Sequence, residues 1–182
     1  MSRIPVQTIE TAPEQARPTL ERLARRAGKP LNIHGEMAHA PVGLAAYAGL
    51  TGALAKDSSF DARTRRAIAL AAGAHDSCDY FQAAHTPAAI TSRLSEAQTV
   101  AIRRGRVDFD PKLAALLTLV REAAANVGHV SDVTWQAAQR AGWGDLELSE
   151  AFAHPAAHLF TNYFNHHART DLDVPAASAL TP

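Results

Sequence analysis

Apolar side chains recur along this chain at mixed spacings of three and four rather than two, which is the period of helices that bury one face. Leu44, Tyr47, Leu50 and Leu54 form one such stripe after Pro41, and Ile68 and Leu70 belong to a second after Asp61. Leu113, Leu116, Leu117 and Val120 form a third after Asp110-Pro111. The stripes follow residues that close helix starts. Thr11-Ala12-Pro13-Glu14 combines a hydroxyl cap, an early proline and a glutamate three residues on, so the pattern predicts a helix over residues 12–27 that Gly28-Lys29-Pro30 ends. Asp57-Ser58-Ser59 separates the Pro41 helix from the next one. Asp61 is the expected cap of a helix reaching about residue 74, followed closely by one that carries Cys78 and His85. Ser95 with Gln98 makes a capping box, and Ser131 caps a helix containing Trp135. A last helix is predicted from residue 145 toward 168, kinked or interrupted near Pro155. No alternating strand pattern of useful length and no solenoid period is present. The predicted fold class is therefore all-α, a single helical domain over residues 1–175, with residues 176–182 as a loosely ordered tail.

Composition narrows this picture. The 182 residues suffice for one well-buried domain, and 47% hydrophobic content with only 6% aromatic residues suits closely packed helices. Eighteen basic and eighteen acidic side chains cancel, so nothing marks a nucleic-acid or anionic membrane partner. Arg22, Arg25 and Arg26 are expected on a solvated helix face, and Arg103, Arg104 and Arg106 around a solvated helix end. No apolar run approaches a membrane span and no signal-peptide pattern opens the chain, so a cytoplasmic location is expected. The lone cysteine excludes an internal disulfide and every Cys-rich metal motif, and a free thiol suits a reducing compartment.

The stretch over residues 75–85 carries the candidate chemistry. In a helix that begins near Cys78, the residues Cys78, Phe81, Gln82 and His85 fall at i, i+3, i+4 and i+7, which predicts that they line one pocket. A rise of about 1.5 Å per residue separates Cys78 from His85 by roughly 10 Å along the axis, whereas position 81 is one turn from His85. His85 is thus within reach of position 81, where this chain has a phenyl ring, and not of the thiol. Phe81 makes the expected pocket smaller and drier. Tyr80 and Tyr163 are candidate phenolic donors to the pocket, set against ordinary backbone-bonded tyrosines.

Nine histidines invite a metal reading. His154 and His158 lie four apart, which is half of a common ligand set, yet no carboxylate follows at a spacing that completes it. His34 with Glu36, or His166 with His167, would need the fold to bring them together. His39 and His129 sit beside helix starts and are expected to be structural. Neither a metal nor another cofactor is expected.

Several separated motifs in order resemble the carboxymuconolactone decarboxylase and alkylhydroperoxidase D (AhpD)-like superfamily. They are residues 32–41 (NIHGEMAHAP), 60–70 (FDARTRRAIAL), 78–85 (CDYFQAAH), 128–132 (GHVSD) and 160–175 (FTNYFNHHARTDLDVP). The resemblance covers nearly the whole chain and implies an AhpD-like helical bundle that forms homo-oligomers: trimers, hexamers or dimers. In the peroxidase-like branch the site is similar to Glu-x11-Cys-x-x-Cys-x-x-x-His. By that resemblance Cys78 takes the place of the first cysteine and His85 that of the histidine. Phe81 replaces the second cysteine, Arg66 replaces the glutamate, and Asp76 stands where asparagine is frequent. His158, too, stands where similar proteins often carry asparagine.

Three functions follow as expectations. The first is a peroxidase-like oxidoreductase limited to one-cysteine chemistry at Cys78, with Arg66 nearby and an external thiol as reductant. A second is cysteine-independent decarboxylation or isomerisation of a small anionic lactone or keto acid, with Arg66 pairing the carboxylate and His85 moving a proton. A third is a non-catalytic ligand-binding homologue. Inert roles stand beside each: Cys78 as a small apolar core residue, Arg66 in a salt bridge, His85 bonded to a backbone carbonyl.

Overall fold

A computed structural model describes residues 1–180 of the chain, among which nine helices and no strand occur. They are α1 (Arg17–Ala27), α2 (Asn32–Met37), α3 (Pro41–Asp57), α4 (Ala62–His75) and α5 (Asp79–Thr91). The second half comprises α6 (Glu96–Arg103), α7 (Pro111–Ala125), α8 (Asp132–Arg140) and α9 (Asp145–Ala168). All-α architecture is as the periodicity predicts.

The polar cap signals translate directly into hydrogen bonds. Asp61, Asp110 and Ser131 accept from the backbone N–H groups of Thr64, Leu113 and Thr134. Ser95 and Gln98 complete a reciprocal capping box at α6. The first helix is the exception. It begins at Arg17 rather than residue 12, and Thr11 instead exchanges bonds with Thr8. Pro18 explains the shift: a helix running from residue 12 would place this ring, which lacks an N–H, in its interior, whereas in α1 it occupies the first turn. Pro87 and Pro155 both lie inside continuous helices, so neither α5 nor α9 is interrupted.

Helix α4 organises the domain. Residues from Ala67 through Gly73 are all buried, and the helix packs against α5, α6, α7 and α9. Its small side chains allow that close approach on every side. One apolar cluster, with Ile68, Leu70, Leu116 and Val120, lies on its α7 side. A second, with Leu20, Ile33, Met37, Leu44 and Phe81, gathers α1, α2 and α3 on the other. After α9 the chain has no regular structure, yet it is tied down. Asp173 accepts from Tyr80 Oη at 2.7 Å and from the Asn32 backbone at 3.0 Å. Ser178 accepts through its carbonyl from Arg103 and donates through Oγ to Glu96. Thr181 and Pro182, the end of the expected loose tail, lie outside the described residues.

Arg103 departs from its expected place. It is buried, and its Nε donates to Gln82 Oε1 at 2.8 Å, while Arg104 and Arg106 remain exposed. No helix among the described residues is long and apolar enough to cross a membrane.

Candidate functional site

A cavity of about 460 Å³ opens between α1, α3, α4, α5 and α9. Arg26, Lys29, Arg65 and Arg66 line it, four imidazoles face it, and no aspartate or glutamate does. Arg26 and Lys29 are exposed and stand at the mouth, whereas Arg65 and Arg66, from α4, are partly enclosed. Lys29 pairs with Asp173 at 3.8 Å, and Arg65 donates to the carbonyls of Leu54 and Ala55 at 3.4 Å. Arg66 has no carboxylate within ion-pair distance among the described residues, so no salt bridge within the chain occupies it there. Its one side-chain contact of hydrogen-bond length is to His85 Nδ1 at 3.4 Å. Burial, reinforced by Arg26 and Arg65, lowers its pKa from the usual arginine value.

The imidazoles are held neutral. Burial, then the positive charges of Arg66 and Arg26, push His85 down to about 3. His158 falls well below the ordinary histidine value for the same first reason, with His85 and His154 adding to it. His34 is lowered to about 4 by burial, and its Nε2 lies 3.3 Å from Tyr47 Oη. His154 donates from Nε2 to Glu150 Oε1 at 2.9 Å. Glu150 itself is held down at about 2: burial opposes its ionisation, but hydrogen bonds from Ser58, Ser59 and His154 outweigh that. The rings are stacked tightly. Phe81 lies parallel to His85 with centroids 4.0 Å apart, and His158 meets both edge-on at 5.0 and 5.8 Å. Among the described residues, no cluster of three or more His, Cys, Asp or Glu forms a metal-binding group.

Of the residues singled out in the sequence, Arg66, His85, Phe81, Tyr80 and His158 come together around this cavity, and Cys78, Gln82 and Tyr163 do not. Cys78 is the N-cap of α5 in extended conformation, one residue before the helix begins, so the 100° rotation per residue that predicted a shared face does not reach it. Ser77 just ahead adopts a left-handed φ of 52°, and the thiol turns into the α1–α2–α3 cluster, leaving Cys78 2% exposed. There Asn165 Nδ2 lies 3.5 Å from Sγ. Burial raises the thiol above its ordinary value, and hydrogen bonds from the Phe81 backbone and Asn165 lower it less. This is the environment of an inert thiol rather than a nucleophilic one. Gln82 is drawn away by Arg103, and Tyr163 is 65% exposed on the outer face of α9. Tyr80 keeps its phenol protonated through burial and its bond to Asp173.

Arg26, Lys29, Arg65, His34 and Tyr47 complete the cavity without having been assigned to it in the sequence. Arg26 lies in the last turn of α1 in a basic triplet and, although exposed, lines the mouth of the cavity. Gly73 supplies another hidden element. A Cβ there would lie 2.5 Å from Phe81 Cδ1, so the missing side chain makes room for the ring that supports His85.

Fold and cavity define an all-α protein with a cationic, imidazole-lined pocket. An uncharacterised peroxidase-related protein with an alkylhydroperoxidase AhpD core, from Ralstonia eutropha JMP134, superposes with a TM-score of 0.84 at 20% identity, over 94% of this chain and 92% of that one. A second uncharacterised peroxidase-related protein, from Silicibacter sp. TM1040, gives 0.80 at 14% identity, over 93% and 91%. The debrominase Bmp8, as a cysteine-to-alanine variant in complex with 2,3,4-tribromopyrrole, gives 0.80 at 16% identity, over 94% and 91%. At these identities the likeness is one of fold. No curated protein matches the chain in sequence. Residues 41–122 match the model of the carboxymuconolactone decarboxylase family. That match spans a little under half of the chain.

Proposed function

We propose that this protein binds a small organic carboxylate in the α1–α3–α4–α5–α9 cavity and acts on it without cysteine, as a decarboxylase or isomerase of a lactone or keto acid. The observation that carries this reading is a cavity wall with four cationic side chains and no acidic one, in which Arg66 has no carboxylate partner. A partly buried guanidinium without a counterion is poised for a bound anion, because its fork of donors matches a carboxylate. Neutral imidazoles and Phe81 add apolar and hydrogen-bonding surface suited to an unsaturated ring or a ketone. One-cysteine peroxidase chemistry, the leading expectation from the sequence, has less support: the sole thiol is enclosed, outside the cavity and raised in pKa.

The test is calorimetric titration with a panel of small lactone and keto carboxylates, paired with absorbance assays of their turnover. Removing charge-assisted bonds of about 1.5–3 kcal/mol predicts that Arg66→Ala weakens binding by roughly 10- to 150-fold. Cys78→Ala is expected to bind and turn over as the parent does. Peroxide reduction that disappears in Cys78→Ala, with no carboxylate binding in the parent, would overturn the reading.

The proposal includes a homo-oligomer. Leu146, Phe152, Phe160 and Tyr163 are exposed along one side of α9, and Val42 and Leu50 are exposed on α3, which packs beside it. Apolar surface of this kind supports burial against a second copy. Light scattering on the eluting protein is expected to give a multiple of 19.4 kDa, and Phe152→Glu to reduce it.

A further inference from the structure

The contact between Arg66 and His85 fixes where a proton sits. A guanidinium has five N–H donors and no acceptor, so the hydrogen between Arg66 Nη1 and His85 Nδ1 belongs to the arginine. Nδ1 must then offer its lone pair. A neutral imidazole that accepts at Nδ1 carries its own hydrogen on Nε2.

The second nitrogen is free to use that hydrogen. His85 Nε2 has no hydrogen-bond partner among the described residues and is not one of the enclosed, unpartnered atoms, while the ring lines the cavity. Phe81, parallel at 4.0 Å, fixes the plane in which the N–H points.

We propose that Arg66 is a positioning residue that locks His85 as its Nε2–H tautomer, so that His85 serves the cavity as a neutral hydrogen-bond donor to a ligand's carbonyl oxygen rather than as a base. This deepens the reading of the pocket as a carboxylate site and rests on it for the nature of the ligand, an oxo acid. The guanidinium takes the carboxylate with its remaining donors, and the imidazole takes the ketone or lactone oxygen. Two groups from adjacent helices thus read two functional groups of one molecule.

The surroundings hold the ring in this state. From α4 it faces Arg66 and Arg65, and from α1 Arg26; both α1 and α4 therefore present only positive charge. From α9 come His154 and His158, from α2 His34, and from α3 Tyr47, none of them anionic. Among the described residues, no carboxylate lines the cavity to stabilise an imidazolium. A donor that keeps its hydrogen without becoming cationic acts on a carbonyl over the whole range in which the protein is folded.

Two measurements test the proposal. In the ligand-free protein, nitrogen-15 NMR of the His85 ring is expected to show a pyridine-type Nδ1 and a pyrrole-type Nε2, unchanged from pH 8 to pH 5. Arg66→Lys, which retains a donor without an acceptor, is expected to preserve this pattern. In Arg66→Met the two nitrogens should average between tautomers and begin to titrate toward the ordinary histidine range. A protonated Nδ1 in the parent protein, or an unchanged tautomer and titration in Arg66→Met, overturns the lock. The parent measurement decides the matter even where a variant fails to fold.

The second measurement compares 4-oxopentanoate with pentanoate by calorimetry. One added hydrogen bond predicts about two- to tenfold tighter binding of the oxo acid to the parent. His85→Phe is expected to remove that preference. Equal affinities in the parent overturn the donor role. Absence of binding by either acid, with the NMR pattern as expected, overturns the carboxylate-site reading and the donor role while leaving the tautomer lock in place.

Discussion

Cys78 and His85 are seven residues apart, yet one is sealed in the core and the other faces a cavity. The thiol side of α5 is apolar core: an N-cap in extended conformation, a left-handed Ser77 before it and a cluster of apolar side chains that takes in the sulfur. The imidazole side is a built surface of stacked rings under an arginine without a counterion. The difference teaches that a redox-like spacing identifies a place in the fold rather than a chemistry. Access and electrostatics decide the chemistry, and here both favour the half of the motif that holds no sulfur.

The strongest way to break this comparison is to remove the ring beneath His85. Phe81→Ala is expected to cost about 3–5 kcal/mol in urea unfolding, because Phe81 is buried and its loss leaves a void that α4 and α5 cannot close. A loss below about 1 kcal/mol would mean the stack is ornamental.

Acid should strike the cavity half first. A histidine lowered to about 4 in the folded state, as His34 is, binds its proton more readily when unfolded, so its contribution is intact above about 6.5 and is lost as pH falls toward 4. At pH 5 this amounts to about 2 kcal/mol for His34, and His85 and His158 act in the same direction. Thermal unfolding at pH 7 and pH 5 measures it, and His34→Gln should recover part of the drop. Glu150 enters only below about 4.5, where protonation begins to remove its bonds to Ser58, Ser59 and His154.

A smaller perturbation sharpens the same boundary. Gly73→Ala drives a methyl group into Phe81 and is expected to cost about 1–3 kcal/mol. Combined with Phe81→Leu, the cost should fall below the sum of the single changes, which a double-mutant cycle reads directly. At the low end, the native Cys78 thiol should react with a disulfide reagent only on the timescale of unfolding. Rapid labelling in the native protein would place the sulfur at the surface and return the peroxidase reading to the front.

Much of this was legible in the sequence. Helix period and polar caps located eight of the nine helices among the described residues, because both are local properties of the chain. The short α2 escaped, as six residues carry too little periodicity to declare a face. Arg66, His85 and Phe81 were found because they occupy positions of a spaced motif. Arg26 and Lys29 were not, since a basic helix end looks the same whether it meets water or the mouth of a cavity. Gln82 and Cys78 were assigned one face by counting residues, and counting fails where a cap is not yet helix and where a buried Arg103 competes for the amide.

The fit between Gly73 and Phe81 also bears on how such a site changes over generations. Placing a cysteine at position 81 leaves empty space against a residue with no side chain, while enlarging position 73 first collides with the ring already present. Either order passes through a weakened intermediate, so the two positions change most easily together. With both in place, packing alone disfavours a second thiol at position 81.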